Sequence, residues 1–438
     1  MGIVNPDPSV RTGAVPMPRR RFLELSATAA AAAGTLSFPA IRAAESPSRK
    51  FIAGVIGLGR GLDHVKALLQ IQGVEIAWLC DVDVNRSAAA ARIVSAKQSV
   101  APRLTQDFRR ILEDRNVDAV FIATPNFWHA PATILACDAG KHVYVEKPGS
   151  HNAHEGELMV AAARKHGRKV QMGTQRRSWP AVIEAMQRLR EGVIGRVLSA
   201  RTYYDAARPS IGRGKPAPVP ASLDYPLWQG PVPERPYVDN LVHYQWHWRW
   251  HWGGGELANN GPHALDLARW GLGVEFPRRV TCTGGRYHYQ DDQETPDTAI
   301  ASFDFGTCDA SFDWSSCNPR ANQKIPWVTF FGDKGSLVQE GSGYKVHDLK
   351  GVETGSGSGP GGDVQHIENF VKAVRDGAVL NQEIGEGQKS VRLCHLGNIA
   401  YRLRRELEID PGNGTILHDR DARKLWGREY RKGWEPRV

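Results

Sequence analysis

A chain of 438 residues is too long for one compact core, so two domains with a short terminal extension are expected. Its 41% apolar and 24% charged residues fit a globular protein, and no run of about 18 strongly apolar residues offers a membrane span. The net charge of +9 falls to about +6 once the five Arg and two acids of residues 1–43 are set aside, and without a long Lys/Arg run it argues against nucleic-acid binding.

Residues 1–44 read as an address. Arg19-Arg20-Arg21-Phe22-Leu23 precedes an alanine-rich, weakly apolar run over 25–38, then Pro39 and Ala43-Ala44. This is the pattern of a twin-arginine signal peptide, which implies recognition by the twin-arginine export machinery and a periplasmic or otherwise exported protein. That route moves folded proteins, so a charged dinucleotide would be inserted first and carried across.

Residues 50–172 read as a dinucleotide-binding α/β domain. A β-branched run at 51–56 leads into Gly57-Leu58-Gly59-Arg60-Gly61 and a helical pattern over 62–71, the strand, glycine turn and helix that cradle a pyrophosphate. The third glycine comes one residue early. A second strand, 74–80, ends at Asp81, 22 residues past Gly59, where a carboxylate holds the adenosine ribose hydroxyls and favours NAD; Arg86 keeps NADP as the alternative. Strands at 117–123, 141–145 and 169–172, with a helix over 130–139, continue a parallel sheet. The loops Thr124-Pro125-Asn126 and Glu146-Lys147-Pro148 then face the cofactor. His129 lies beside them, with a packing role as good a reading as a chemical one.

Residues 173–410 read as an α+β domain, with 411–438 as a C-terminal tail. Gly173-Thr174-Gln175-Arg176-Arg177 is the crossing point, residues 208–236 form a long Pro/Gly-rich loop over the site, and 351–362 form a flexible surface loop. Alternating segments at 197–204, 278–289, 298–305, 308–314, 327–331 and 336–340 predict an open, mainly antiparallel sheet whose bare face suits homo-oligomer contact. Helices over 364–375 and 386–406 return toward the first domain. Trp246, Trp248, Trp250 and Trp252 recur at period two, which on an extended segment makes one aromatic wall for a carbohydrate. His247 and His251 lack an acidic third ligand, so no metal is expected. Of six cysteines, only Cys308 and Cys317, on what read as neighbouring strands, are placed for a disulfide in an oxidising compartment.

These motifs resemble, in order, those of the glucose-fructose oxidoreductase, inositol dehydrogenase and rhizopine-catabolism family. The match takes in Gly57-Leu58-Gly59, Asp81-Val82-Asp83, Ala123-Thr124-Pro125-Asn126 with His129, Glu146-Lys147-Pro148, and Gly253-Gly254-Gly255 followed by Gly261, His263 and Asp266. The resemblance implies a Rossmann domain plus an open-sheet domain, with nicotinamide and substrate at their interface. It makes Lys147 the central catalytic residue and His263 its partner, and places Gln175 and Arg176 near the substrate. Where the family carries an Asp, this chain has Asn259, read as orienting a substrate hydroxyl. Glu146 would balance Lys147 or cap a turn; Asp266 would orient His263 or pair with Arg269 at the surface.

The expected function is hydride transfer between a retained NAD, or NADP, and a hydroxyl carbon of a sugar, cyclitol or glycoside. The alternatives are a redox-assisted glycosidase working by transient C3 oxidation and elimination, or a non-catalytic dinucleotide- or sugar-binding protein.

Overall fold

The computed structural model describes residues 49–438, so the twin-arginine segment lies outside the described residues. The first sheet has six strands: β1 (Phe51–Ile56), β2 (Val74–Cys80), β3 (Arg103–Thr105), β4 (Ala119–Ile122), β5 (His142–Val145) and β6 (Val170–Met172). They are all parallel, in the order β3-β2-β1-β4-β5-β6. β4 and the last three residues of β5 and β6 are buried, as both faces carry helices, which explains the apolar runs of β4 and β5. The order reverses between β1 and β4, so the crevice for a ligand opens beyond Ile56 and Ile122.

The second sheet has nine strands: β7 (Val197–Asp205), β8 (Arg279–Gly285), β9 (Thr298–Asp304), β10 (Asp309–Ser315), β11 (Val328–Gly332), β12 (Gly335–Glu340), β13 (Gly343–Asp348), β14 (Glu353–Gly357) and β15 (Leu407–Glu408). Its order is β14-β13-β12-β11-β7-β10-β9-β8-β15, antiparallel throughout except for the parallel pair β7 and β10. Ala301, Phe303, Phe312 and Phe330 point to one face and pack under the helices Pro180–Arg190, Gly261–Leu272 and Ile384–Leu403. Ile300 and Phe331 stand on the opposite face, 42% and 44% exposed.

Three expectations are corrected. Residues 351–362 are not all loop, because β14 pairs with β13 there; its glycines and serines hid the strand. Cys308 and Cys317 are both free thiols. They flank opposite ends of seven-residue β10, roughly 20 Å of extended chain, far beyond disulfide reach. The tryptophan segment is not extended either: Gln245–Trp248 is a turn of 3-10 helix, with Trp246, Trp248 and Trp252 buried.

The chain also returns to its first sheet. Ile367, Phe370 and Val371 of the helix Val364–Asp376 join the core of Phe51, Phe121 and Tyr144, and the Phe370 ring meets all three aromatic rings. No helix among the described residues is long and apolar enough to cross a membrane.

Candidate active site

A cleft of about 480 Å³ opens at the C-terminal ends of β1, β4 and β5. Gly57, Gly59, Arg60, Asp81, Arg86, Thr124, Pro125, Asn126, His129, Glu146 and Lys147 line one side, joined by Gln175, Asn259 and His263. Leu227 and Trp228 from the long loop, with His243, Tyr244, Trp246 and His247, line the other.

Gly57 has φ +83°, and a Cβ there would lie 2.6 Å from the Ala123 carbonyl oxygen. A Cβ on Gly59 would meet the Arg86 guanidinium at 2.9 Å. The bare backbone therefore leaves room beside the start of the helix Gly61–Leu68, where an anion is favoured. Asp81 ties this loop down by accepting the Leu58 N–H at 2.7 Å and the Asp83 N–H at 3.0 Å. Each carboxylate oxygen keeps a lone pair for a ribose hydroxyl. These residues fit a dinucleotide. Leu58 and Gly61 do not line the cleft: Leu58 is in the core, and Gly61 packs against Val55 and Ala123.

Lys147 stands in the cleft wall. Its ammonium donates to the Asn259 backbone carbonyl at 2.7 Å and to Asn259 Oδ1 at 3.1 Å. Burial pulls its pKa below the usual lysine range, opposed by Glu146 and Glu256 and reinforced by Arg60 and Arg208. Asn259 thus holds Lys147 through its two oxygens while lining the cleft itself. His263 lines the same end with Nδ1 buried and unpartnered. Burial, then the charges of Lys147 and Arg176, hold its pKa well below normal, so it is a neutral imidazole with one donor and one acceptor.

The neighbours of this pair were not readable from sequence spacing. Glu146 is buried, accepts from Arg60 Nε at 3.0 Å, lies 2.9 Å from His64 Nε2, and takes the Lys147 backbone N–H at 3.1 Å. Its main partners are therefore Arg60 and His64, and despite burial its pKa is held well below normal by them and by Lys147. Glu256, also buried, pairs with Arg208 and accepts from Asn260 Nδ2 at 2.6 Å. His247 stacks on Trp246 with 3.6 Å between centroids, and its Nδ1 lies 2.7 Å from the Tyr244 carbonyl. Burial lowers its pKa to about 3, so Nδ1 carries the proton and Nε2 is left as an acceptor.

Other expectations change. His129 is a brace: Nδ1 lies 2.6 Å from the Pro148 carbonyl and Nε2 2.7 Å from that of Thr124, bridging the two cofactor-facing loops. Asp266 does not orient His263 and is not at the surface. It is buried and bidentate to Arg177 at 2.7 and 2.9 Å, with Ser390 and Gln382 completing its bonds, while Arg269 pairs with Glu386. Trp248 is off the cleft, its Nε1 bonded to Gln245 Oε1 and its ring under Arg208, because the 3-10 turn swings it away from Trp246. Arg176 is also off the cleft wall, stacked between Trp179 and Trp327.

Comparison with known proteins places this geometry. Residues 51–174 match the oxidoreductase family, NAD-binding Rossmann fold, and residues 197–436 match its C-terminal alpha/beta domain. Inositol 2-dehydrogenase of Salmonella typhimurium is 30% identical over 159 residues, 35% of this chain and 46% of that protein. A glycosyl hydrolase family 109 protein of Shewanella putrefaciens is 30% identical over 158 residues, 34% of each. The matches thus span less than half the length of either relative. The WlbA dehydrogenase from Bordetella pertussis, solved with NADH and UDP-GlcNAcA, superposes with a TM-score of 0.64 at 20% identity, covering 83% of this chain and 99% of that one.

Proposed function

Because the chain belongs to the glucose-fructose oxidoreductase, inositol dehydrogenase and rhizopine-catabolism family of NAD-binding oxidoreductases, we propose that it transfers a hydride between a retained NAD and a hydroxyl carbon of a sugar, cyclitol or glycoside. The observation that carries this reading is the Lys147 ammonium, clamped on Asn259 in the wall of the dinucleotide cleft, with neutral His263 lining the same end. NAD, when bound, supplies the hydride acceptor. Lys147, its pKa lowered by burial, moves the hydroxyl proton, and His263 holds the hydroxyl by accepting or donating one hydrogen bond. Asp81 and the Gly57–Gly59 backbone bind the adenosine ribose and pyrophosphate, and Arg60 fixes Glu146 below Lys147. Inositol 2-dehydrogenase, a relative, supports a polyol substrate. A native mass spectrum of the purified chain is expected to show one dinucleotide per chain, with reduced nicotinamide absorbance appearing on addition of a polyol. No response to any sugar, cyclitol or glycoside would overturn the reading.

The glycosyl hydrolase family 109 relative favours a second reading, in which oxidation at C3 acidifies the C2 hydrogen and the aglycone is eliminated. The same Lys147 and His263 would serve it. Exchange of the C2 hydrogen with deuterated water, with no net reduced nicotinamide, separates it from simple dehydrogenation.

We also propose export by the twin-arginine route, from the sequence of residues 19–44, and self-association through the bare sheet face bearing Ile300 and Phe331. Cell fractionation with Arg19, Arg20 and Arg21 changed to Lys, and sedimentation of Phe331→Glu, test these two points.

A further inference from the structure

His247 lines the cleft as a hydrogen-bond acceptor of fixed sign. Its Nδ1 lies 2.7 Å from the Tyr244 carbonyl, which can only accept, so Nδ1 carries the ring proton. Nε2 has no partner among the described residues, and the ring is only half-buried. Trp246 stacks on this ring at 3.6 Å and Tyr244 leans against it at 4.5 Å, which holds it in place. Burial takes its pKa to about 3, opposed by the Tyr244 carbonyl and reinforced by the charges of Lys147 and Arg208. Near neutral pH, Nε2 therefore accepts a bond and never donates one.

Other polar groups of the cleft differ from it. Glu146 is engaged by Arg60 and His64, and Asn259 Oδ1 by Lys147. Of the cleft groups that also lack a partner, the Thr124 hydroxyl and the Gln175 amide can each donate or accept, and either nitrogen of His263 can hold its proton. His247 stands on the wall opposite Lys147, yet near enough for that ammonium and for His129 to act on its ring. Gly57, Asp81 and Thr124, which fit the dinucleotide, are on the Lys147 side, so a molecule in the space between the walls meets Lys147 on one side and Nε2 on the other. Resting on the proposed hydride transfer at Lys147, we infer that His247 is a specificity-determining residue whose Nε2 accepts a hydrogen bond from a second substrate hydroxyl, distinct from the one that is oxidised. Such a site selects a free hydroxyl and rejects a hydrogen atom or a methyl ether in its place, because neither supplies a donor to the desolvated nitrogen.

The test is calorimetric binding to the NADH-loaded protein, in which oxidation of the sugar is blocked, of glucose, galactose, mannose and myo-inositol, each with its monodeoxy and mono-O-methyl derivatives. Turnover of the same compounds by the NAD-loaded protein, with product analysis, identifies the oxidised carbon. In the series bound most tightly, deoxygenation and methylation at one other position are each expected to weaken binding at least about tenfold. His247→Phe, which keeps a ring against Trp246, should weaken the parent compound by the same factor and leave the Kd of that deoxy derivative unchanged, with one dinucleotide per chain still bound. His247→Gln, which offers an acceptor again, should restore part of the parent's affinity. Additive losses from deoxygenation and His247→Phe, an unaltered parent Kd in that variant, loss of dinucleotide in place of sugar, or no binding in any series would overturn the inference. Discrimination that depends on His247 without reduced nicotinamide would leave the hydroxyl site standing and sink the hydride-transfer reading. Reduced nicotinamide formed from a polyol whose binding His247→Phe does not change would do the reverse.

Discussion

Lys147 and Asn259 are joined twice, the ammonium donating to the backbone carbonyl at 2.7 Å and to the side-chain carbonyl at 3.1 Å. Asn259 ends the short helix Gly255–Asn259, so its main-chain oxygen is free of an intrahelical partner and carries the negative end of the peptide dipoles. The amide fixes where the ammonium sits without adding a full negative charge, and burial therefore still dominates the lysine's proton affinity.

Replacing Asn259 by Asp keeps the shape and adds that charge. The lysine's ionised form is then favoured, by about one pKa unit or more. The inflection belonging to Lys147 in the pH profile of kcat/KM should move upward in Asn259→Asp, with the protein still carrying its dinucleotide. An unmoved profile would separate Lys147 from the titrating step.

The helix Val364–Asp376 is pinned to the first sheet by His366, whose Nε2 lies 2.9 Å from the Met172 carbonyl and whose Nδ1 lies 2.6 Å from Ser178 Oγ. A neutral ring satisfies both, donating to the carbonyl and accepting from the hydroxyl. Burial lowers its pKa to about 4, and that of His395 to about 3. Both folded values lie below the unfolded value near 6.5, so in that window the unfolded chain binds protons the folded chain refuses. Stability is full above about pH 6.5 and falls as the pH drops, by about 1.4 kcal/mol per unit for each ring. Urea unfolding midpoints should decline steadily from pH 6.5 to 4, and His366→Gln should shrink the slope by about one proton. A flat profile would contradict the neutral, buried ring.

The cleft wall is braced from behind by the end of the chain. Trp434 meets Trp128 edge-on at 5.3 Å, Trp128 Nε1 donates to the Trp228 carbonyl at 3.1 Å, and both Trp128 and Trp228 line the cleft. Arg428 adds an ion pair to Glu155 at 2.6 Å and a bond to the Phe127 carbonyl at 2.8 Å. An aromatic pair contributes about 1 kcal/mol beyond its buried area, so Trp434→Ala should speed dinucleotide release by roughly fivefold. Stopped-flow fluorescence of reduced nicotinamide reads that rate. Unchanged release would make residues 428–434 mere surface covering.

Much of this was legible in the residues. β1, β4 and β5 announce themselves because burial on both faces leaves β-branched and apolar runs, Gly57 and Asp81 follow at the spacing of a dinucleotide fold, and Lys147 was marked by the family resemblance. What was hidden depends on contacts across the chain. Arg60 and His64 reach Glu146 over 86 and 82 residues, and Arg208 reaches Glu256 over 48, so no local pattern pairs them. The tryptophans misled for a different reason. Period-two aromatics look like a strand face, but the bonds from His247 N–H to the Tyr244 carbonyl and Arg249 N–H to the Trp246 carbonyl coil the segment, leaving Trp246 at the cleft and Trp248 in the core.

The most direct test is a single turnover of the dinucleotide-loaded protein with an accepted polyol, comparing the native chain with Lys147→Met. Reduced nicotinamide should form at least about 100-fold more slowly in the variant, with its dinucleotide content and unfolding midpoint unchanged. A variant that transfers hydride at close to the native rate would contradict the placing of residue 147 at the reaction.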